Sequence, residues 1–488
     1  MQDLLSSTKS INCRNFINGK FIDEVEERKF ANINPATEEE IGWVAEATKQ
    51  QVDEAVAAAK QALQGPWGKF TVKQRSNILR RIGDLILENV EELAALEATD
   101  TGKPYLLALE MDIKRAAHNF HFFADYVTSL SNDSYNQDNI ALHYTVTRPV
   151  GVVAMINPWN LPLLLLTWKL APCLAAGCTA VMKPAELTPM TATRLVELCQ
   201  EAGLPEGVVN LVHGFGADSA GAFLSEHPNV DAITFTGETK TGTTIMKAAA
   251  PTLKKVSFEL GGKNPNIIFA DSDLDEVIDT TLKSSFMNQG QVCLCGSRIY
   301  VERSVYDTFL EKFVERTKEL KIGNPFNEAT DIGAVIGKEH YEKVLSYIEL
   351  AQEEDGHILT GGGRPASIPK GYFIEPTIIT GLTQQSRCVQ EEIFGPVVAV
   401  LPFDSEEEVL AYANDTKYGL GATIWTNDLR RAHRVAAQIE SGIVWVNTWY
   451  LRDLRTPFGG MKHSGIGREG GSHSFEFYCE VSNVTIKL

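Results

Sequence analysis

Leu161-Pro-Leu-Leu-Leu-Leu-Thr-Trp-Lys-Leu-Ala-Pro-Cys-Leu-Ala-Ala-Gly-Cys-Thr-Ala-Val-Met182 is the stretch on which the fold turns. It has about the length of a membrane span and a single charge, Lys169. Two prolines, a glycine and that lysine fall inside it, and no basic flank marks a cytoplasmic side. It therefore reads as a buried helix followed by a buried strand, because strands of a parallel sheet are apolar on both faces.

Working outward, strand-like runs alternate with helical ones: a strand at 151–156, a helix to about 176, a strand at 179–182, a helix at 188–202, a strand at 208–213, a helix near Ser219 and a strand at 232–235. This rhythm predicts right-handed crossovers and a mostly parallel sheet, the setting of a nucleotide-binding layer. A second α/β stretch runs from about 265 to 459, and Gly361-Gly-Gly-Arg-Pro365 is a loop by composition. On the amino-terminal side, Phe16-Ile-Asn-Gly-Lys-Phe21 reads as a hairpin turning at Asn18-Gly19. Helical periodicity covers 51–63, 72–97 and 105–127, the last carrying Arg115. The strips 141–149 and 480–488 alternate apolar with polar residues; as strands they could pair with each other and extend a sheet into a neighbouring subunit.

The 488 residues, 44% hydrophobic and 22% charged, fit an ordinary globular chain of two or three domains. A formal charge of −18 argues against general affinity for nucleic acid or an anionic membrane, which both demand a basic surface. The eight cysteines show no C-x-x-C spacing and no neighbouring histidines, so no metal is expected and a reducing compartment fits. Residues 1–16 lack the pattern of a secretory signal, and the expected location is the cytoplasm.

Three windows carry candidate chemistry. In Phe286-Met-Asn-Gln-Gly-Gln-Val-Cys-Leu-Cys-Gly-Ser-Arg298, Cys293 lies between Gly290 and Gly296 on backbone that can approach a substrate closely; it is either a nucleophile or a buried structural thiol. In Phe258-Glu-Leu-Gly-Gly-Lys-Asn-Pro265, Glu259 is a general base if burial raises its pKa, or a surface carboxylate before a turn. In Asn157-Pro-Trp-Asn-Leu-Pro162, Asn160 either stabilises an oxyanion or caps the following helix.

Together these windows, with Glu259 placed 34 positions before Cys293, resemble the aldehyde dehydrogenase superfamily over nearly the whole chain. The resemblance implies an α/β aldehyde dehydrogenase fold. Its parts would be a Rossmann-like NAD-binding domain (1–130 and 151–261), an α/β catalytic domain (262–460) and a small β oligomerisation arm (131–150 and 475–488). It implies Cys293 as nucleophile, Glu259 as general base, and Asn160 with the Cys293 N–H as the oxyanion hole, Cys295 being structural. A homodimer or homotetramer is expected.

The same resemblance assigns Lys183 and Glu186 to the adenosine ribose, Trp159 to the cofactor cleft, and Glu392 and Phe394 to the nicotinamide ribose and ring. The ribose assignment also makes physical sense: Lys183 donates to hydroxyls, Glu186 accepts from them, and a carboxylate there repels a 2′-phosphate, favouring NAD over NADP. The turn Phe235-Thr-Gly-Glu-Thr-Lys-Thr-Gly242 follows a strand and opens a helix, where N–H groups can hold a pyrophosphate. Gly237 suits that role, whereas a carboxylate at Glu238 beside phosphate is unexpected.

The implied chemistry is thiolate addition to an aldehyde, hydride transfer, and hydrolysis of the resulting thioester by water activated at Glu259. The segment Trp445-Val-Asn-Thr-Trp-Tyr-Leu-Arg-Asp-Leu-Arg-Thr-Pro-Phe-Gly-Gly460 resembles the branch of the family that oxidises 2-aminomuconic and 2-hydroxymuconic 6-semialdehydes in aromatic and tryptophan–kynurenine breakdown. That resemblance puts Arg115 and Arg455 at a substrate carboxylate, a geometry the guanidinium fork suits. Each arginine has an alternative acid partner nearby, Asp112 for Arg115 and Asp453 for Arg455. The competing activities are betaine-aldehyde or general aliphatic dehydrogenase and, from a different class, a non-redox cysteine hydrolase or acyltransferase.

Overall fold

The Leu161–Met182 stretch folds as the Pro162–Ala176 helix and the Thr179–Lys183 strand, buried at every position but Leu165. Pro162 sits in the first turn, where its missing N–H costs nothing, and Gly177 ends the helix at φ 93°. The lone charge, Lys169, is fully buried and reaches Glu469 at 2.6 Å. That pairing is how a cation is tolerated in so apolar a helix.

The computed structural model describes residues 11–23 and 28–488. Residues 1–10 of the segment read for a targeting signal, and 24–27 of the first expected domain, lie outside the described residues. Among the described residues no helix is long and apolar enough to cross a membrane.

Five parallel strands form the centre of an eight-stranded sheet, in the spatial order Val209–Leu211, Thr179–Lys183, Val152–Ile156, Ala232–Thr236, Lys255–Glu259. The Phe16–Ile17 and Lys20–Phe21 hairpin closes one edge antiparallel, turning through Asn18 and Gly19 at φ 50° and 80°. Gly465–Ile466 closes the other. The central strand is apolar on both faces: Val153 and Met155 pack with Leu170 and Leu174, while Val152, Ala154 and Ile156 pack with Val52, Val56 and Leu224. Each such buried aliphatic side chain contributes about 1.5–3 kcal/mol of burial free energy.

The second sheet has seven strands, in the order His357–Thr360, Thr377–Thr380, Val397–Phe403, Arg298–Glu302, Pro265–Ile268, Gly421–Trp425, Ile443–Val446, parallel except at the first pair. A third, antiparallel sheet pairs Cys479–Lys487 with Ala141–Pro149 over nine residue pairs and adds Ser134–Gln137.

Several elements differ from the sequence reading. The helix expected at 72–97 is two, Val72–Glu88 and Val90–Thr101, because Asn89 leaves helical geometry and its side-chain amide donates to the Leu85 carbonyl at 2.8 Å. The helix expected at 105–127 contains a π-helical turn, Ala108–Ile113, ahead of Lys114–Tyr126. Past residue 460 the chain returns to the first sheet at Gly465–Ile466. It then forms the Gly471–Tyr478 helix, so 475–478 are helical and the terminal strand starts at Cys479.

Candidate active site

Strand order reverses between Val152–Ile156 and Ala232–Thr236, and the crevice at such a switch point lies at the carboxyl ends of the strands. Most of the candidates are gathered there. Asn157 to Asn160 follow the central strand, Lys183 ends its neighbour, Gly237 and Glu238 follow Ala232–Thr236, and Glu259 is the last residue of Lys255–Glu259.

Cys293 arrives from the second half of the chain on a strained turn. Asn288, Gln289 and Gly290 have φ of 53°, 58° and 70° in succession. Side-chain amides hold them: Asn288 donates to the carbonyls of Asn160 (3.1 Å) and Gln291 (3.2 Å), and Gln289 donates to that of Ala334 (3.1 Å). Asn264 donates to the Cys293 and Cys295 carbonyls at 2.7 and 2.9 Å, which leaves Cys293 half-buried and Cys295 buried behind it. The Asn160 amide reaches the Gln291 carbonyl at 2.9 Å, so it stands beside the cysteine loop and makes no capping bond to its own helix.

Glu259 is 5% exposed, and neither carboxylate oxygen has a hydrogen-bond partner among the described residues. Burial, reinforced by Glu469, raises its pKa well above the usual carboxylate range against the pull of Lys169, Arg452 and Arg468. Burial also pushes the Cys293 thiol up, with the Glu259 and Glu392 carboxylates adding to it and Arg452 opposing. A methyl on Gly459 would come 3.0 Å from Glu259 Oε1, so only glycine leaves the carboxylate this space.

Beside Cys293 lies a small pocket whose walls include Trp168, Tyr450, Leu454 and Phe458 and two cations, Arg115 and Arg452. The Arg452 guanidinium lies 3.9 Å from the Phe458 ring centre and 4.8 Å from that of Trp168, and its Nη2 is buried with no hydrogen-bond partner among the described residues. Arg115 stacks over Tyr450 at 5.0 Å. Asp112 is not its partner, because that carboxylate is taken by Lys103 at 2.6 Å.

Arg455 stands apart from these two: its side chain is 73% exposed and paired with Asp453 at 2.5 Å, the alternative partner named above, and it is not among the residues lining this pocket. The Arg455 N–H and guanidinium both bond Asp453 Oδ1, a local Asx-type turn that the Asp-x-Arg spacing encodes. Arg452, which the sequence reading did not name, lines the pocket instead, and the Asp-x-Arg spacing is the local signal that Asp453 captures Arg455.

The cofactor candidates line the crevice. Buried Lys183 bonds the Pro184 carbonyl at 2.9 Å and faces Glu186 at 3.6 Å, a donor and an acceptor set side by side as two ribose hydroxyls require. Gly237 leads through Glu238 into the Thr239–Ala249 helix, whose first turn has no side-chain cap and so keeps N–H groups for a pyrophosphate. Glu392 Oε1 accepts the Gly262 N–H at 2.9 Å, and a methyl on Gly261 would fall 2.0 Å from Glu392 Oε2. Phe394, at φ 62°, meets Trp159 edge-on at 5.3 Å. The donors, acceptors and free N–H groups of these residues are of the kinds that a dinucleotide's ribose hydroxyls and pyrophosphate require.

Lys169, noted in sequence only as the lone charge of its stretch, and Glu469, not noted at all, lie 300 residues apart, bond each other and act on Glu259.

The aldehyde dehydrogenase family model matches residues 21–484. Over 482 residues the chain is 52% identical to the 2-hydroxymuconic semialdehyde dehydrogenase of Pseudomonas sp. (strain CF600), covering 97% of this chain and 99% of that one. It is 50% identical over 482 residues to a 2-aminomuconic 6-semialdehyde dehydrogenase of Pseudomonas sp., covering 97% and 98%. The NAD+ complex of an aldehyde dehydrogenase from Bacillus cereus superimposes with a TM-score of 0.96 at 42% identity, covering 99% of this chain and 98% of that one.

Proposed function

The chain belongs to the aldehyde dehydrogenase family, and from that membership we propose that it oxidises a 2-hydroxy- or 2-aminomuconic 6-semialdehyde to the dicarboxylate, with NAD as oxidant. The observation that carries the substrate reading is the pair of arginines, Arg115 and Arg452, in the pocket that opens on Cys293. A substrate with an aldehyde at one end and a carboxylate at the other fits that polarity. The aromatic and aliphatic walls suit a flat, unsaturated chain between its ends.

Cys293 passes its thiol proton to water and adds as the thiolate to the aldehyde carbon. The Asn160 amide and the Cys293 N–H donate to the oxygen that takes the negative charge. NAD, when bound by Lys183, Glu186, Gly237, Glu392 and Phe394, supplies the acceptor for the hydride that leaves that carbon. The carbon is then a thioester on Cys293, and Glu259 takes a proton from the water whose oxygen displaces the sulfur. The raised pKa of Glu259 suits a base that works near neutrality, since a carboxylate at its ordinary pKa binds a proton too weakly for efficient general base catalysis there.

We infer further that the protein works in the cytoplasm as a homo-oligomer. Eight free cysteines support the first statement. Val481, Ile486, Leu488 and Tyr135, exposed on and around the third sheet, support the second; a monomeric mass in sedimentation would remove it.

The test is the rate of NADH formation with 2-hydroxymuconic, 2-aminomuconic, betaine and aliphatic aldehydes. The proposal expects kcat/KM for a muconic semialdehyde to exceed that for betaine aldehyde by about 100-fold, as two charge-assisted contacts would give. Equal values overturn it.

A further inference from the structure

Behind Asn160, away from the substrate, lies a cluster that the chemistry above does not use. Lys103, Glu97 and Asp112 are fully buried, with side-chain exposures of 0%. The Lys103 ammonium donates to Asp112 Oδ2 at 2.6 Å and to the Asn160 main-chain carbonyl at 3.0 Å, and Glu97 Oε1 stands 3.8 Å away. Burial, with Asp112 nearby, pushes the Glu97 carboxyl up to about 7, although Lys103 opposes it.

Buried charges of this kind are a poor source of stability, since desolvation offsets most of their attraction. What distinguishes the cluster is where its bonds go. Asn160 presents its side chain to the cysteine loop, and its carbonyl accepts from Lys103 and Asn288. Asp112 lies in the π-helical turn Ala108–Ile113, two positions before the residue preceding Arg115. Gly102, at φ 75°, brings Lys103 in where a methyl would strike Pro35 and the Ala334 carbonyl, the same carbonyl that Gln289 of the cysteine turn bonds.

We propose that Lys103 is a positioning residue for the oxyanion site. Its ammonium fixes the Asn160 main chain and, through Asp112, the turn that carries Arg115, so that the substrate's carbonyl oxygen and far carboxylate are held in register with Cys293. The proposal rests on the role given to Asn160 above.

The experiment is a double-mutant cycle of wild type, K103M, N160A and K103M/N160A. It measures kcat and KM for NADH formation from 2-hydroxymuconic 6-semialdehyde, and NAD binding by quenching of protein fluorescence. K103M is expected to lower kcat by about ten-fold or more, with NAD affinity changed by less than about two-fold. In the N160A background the same substitution should lower kcat by less than about two-fold, because the group it positions is gone. An equal loss in both backgrounds, or a K103M kcat within about two-fold of wild type, overturns the proposal. An N160A enzyme with wild-type kcat overturns the role of Asn160 instead. K103M leaves Asp112 unpaired, so K103M/D112N is carried through the same cycle; if neither folds by circular dichroism, Lys103 is structural and the proposal is wrong.

Discussion

The side-chain amide of Asn160 donates to the carbonyl of Gln291 at 2.9 Å, two residues before Cys293. This bond joins the loop after the central strand of one sheet to the cysteine loop that precedes Arg298–Glu302 of the other, and it puts an uncharged donor against the cysteine loop. Asn160→Ala should therefore lower kcat by about 100- to 1,000-fold, the usual cost of one oxyanion donor, while NAD still binds. Steady-state NADH formation alongside a fluorescence titration with NAD checks both halves.

The pocket makes different demands on three arginines. Arg452→Ala and Arg115→Ala should each lower kcat/KM for a muconic semialdehyde by about 10- to 100-fold, the worth of a hydrogen bond to a charged group, chiefly through KM. A neutral aliphatic aldehyde should lose much less. Arg455→Ala should leave both substrates within about two-fold of wild type, because an exposed ion pair is worth little. A selective loss in the Arg455 variant and none in the Arg452 variant would reverse the assignment.

Glu259 accepts a proton from water only when it is deprotonated, so acid release should rise with pH through its elevated pKa. Glu469 is one cause of that elevation, and Glu469→Gln removes a neighbouring negative charge. The sign follows: the pKa of Glu259 falls, and the rising limb of the pH profile moves to lower pH. Rapid-quench measurement of acid release across pH reads this directly. Glu259→Gln should instead form about one equivalent of NADH per site and then stall as the thioester.

The cysteine turn tolerates no side chain at Gly290. Its φ is 70°, and a methyl there would fall 2.1 Å from the Gly395 carbonyl. Gly290→Ala should cost more than about 2 kcal/mol of stability, since left-handed strain and a backbone clash add. The melting temperature should fall and activity be lost, whereas Gly203→Ala, with open space around it though also at positive φ, should cost less and keep activity.

Much of this was legible in the sequence because it is written in short-range patterns. The apolar strand–helix rhythm gives the parallel sheet, whose strands' carboxyl ends carry Asn160, Lys183, Gly237 and Glu259; the roles of these residues were legible only through the family resemblance of the motifs that hold them. What was not legible depends on contacts without local signature. Lys169 and Glu469 meet across 300 residues, and nothing near either announces the other. The loop holding Arg452 and Arg455 has no period, so the choice between them rests on which one Asp453 captures. The break at Asn89 turns on a single side chain competing for the Leu85 carbonyl inside an otherwise helical pattern.

The central claim is covalent oxidation at Cys293, and the rate of NADH formation by Cys293→Ala with 2-hydroxymuconic 6-semialdehyde tests it most directly. The account predicts no NADH above the uncatalysed background from an enzyme that still binds NAD. Measurable turnover by that variant would contradict it.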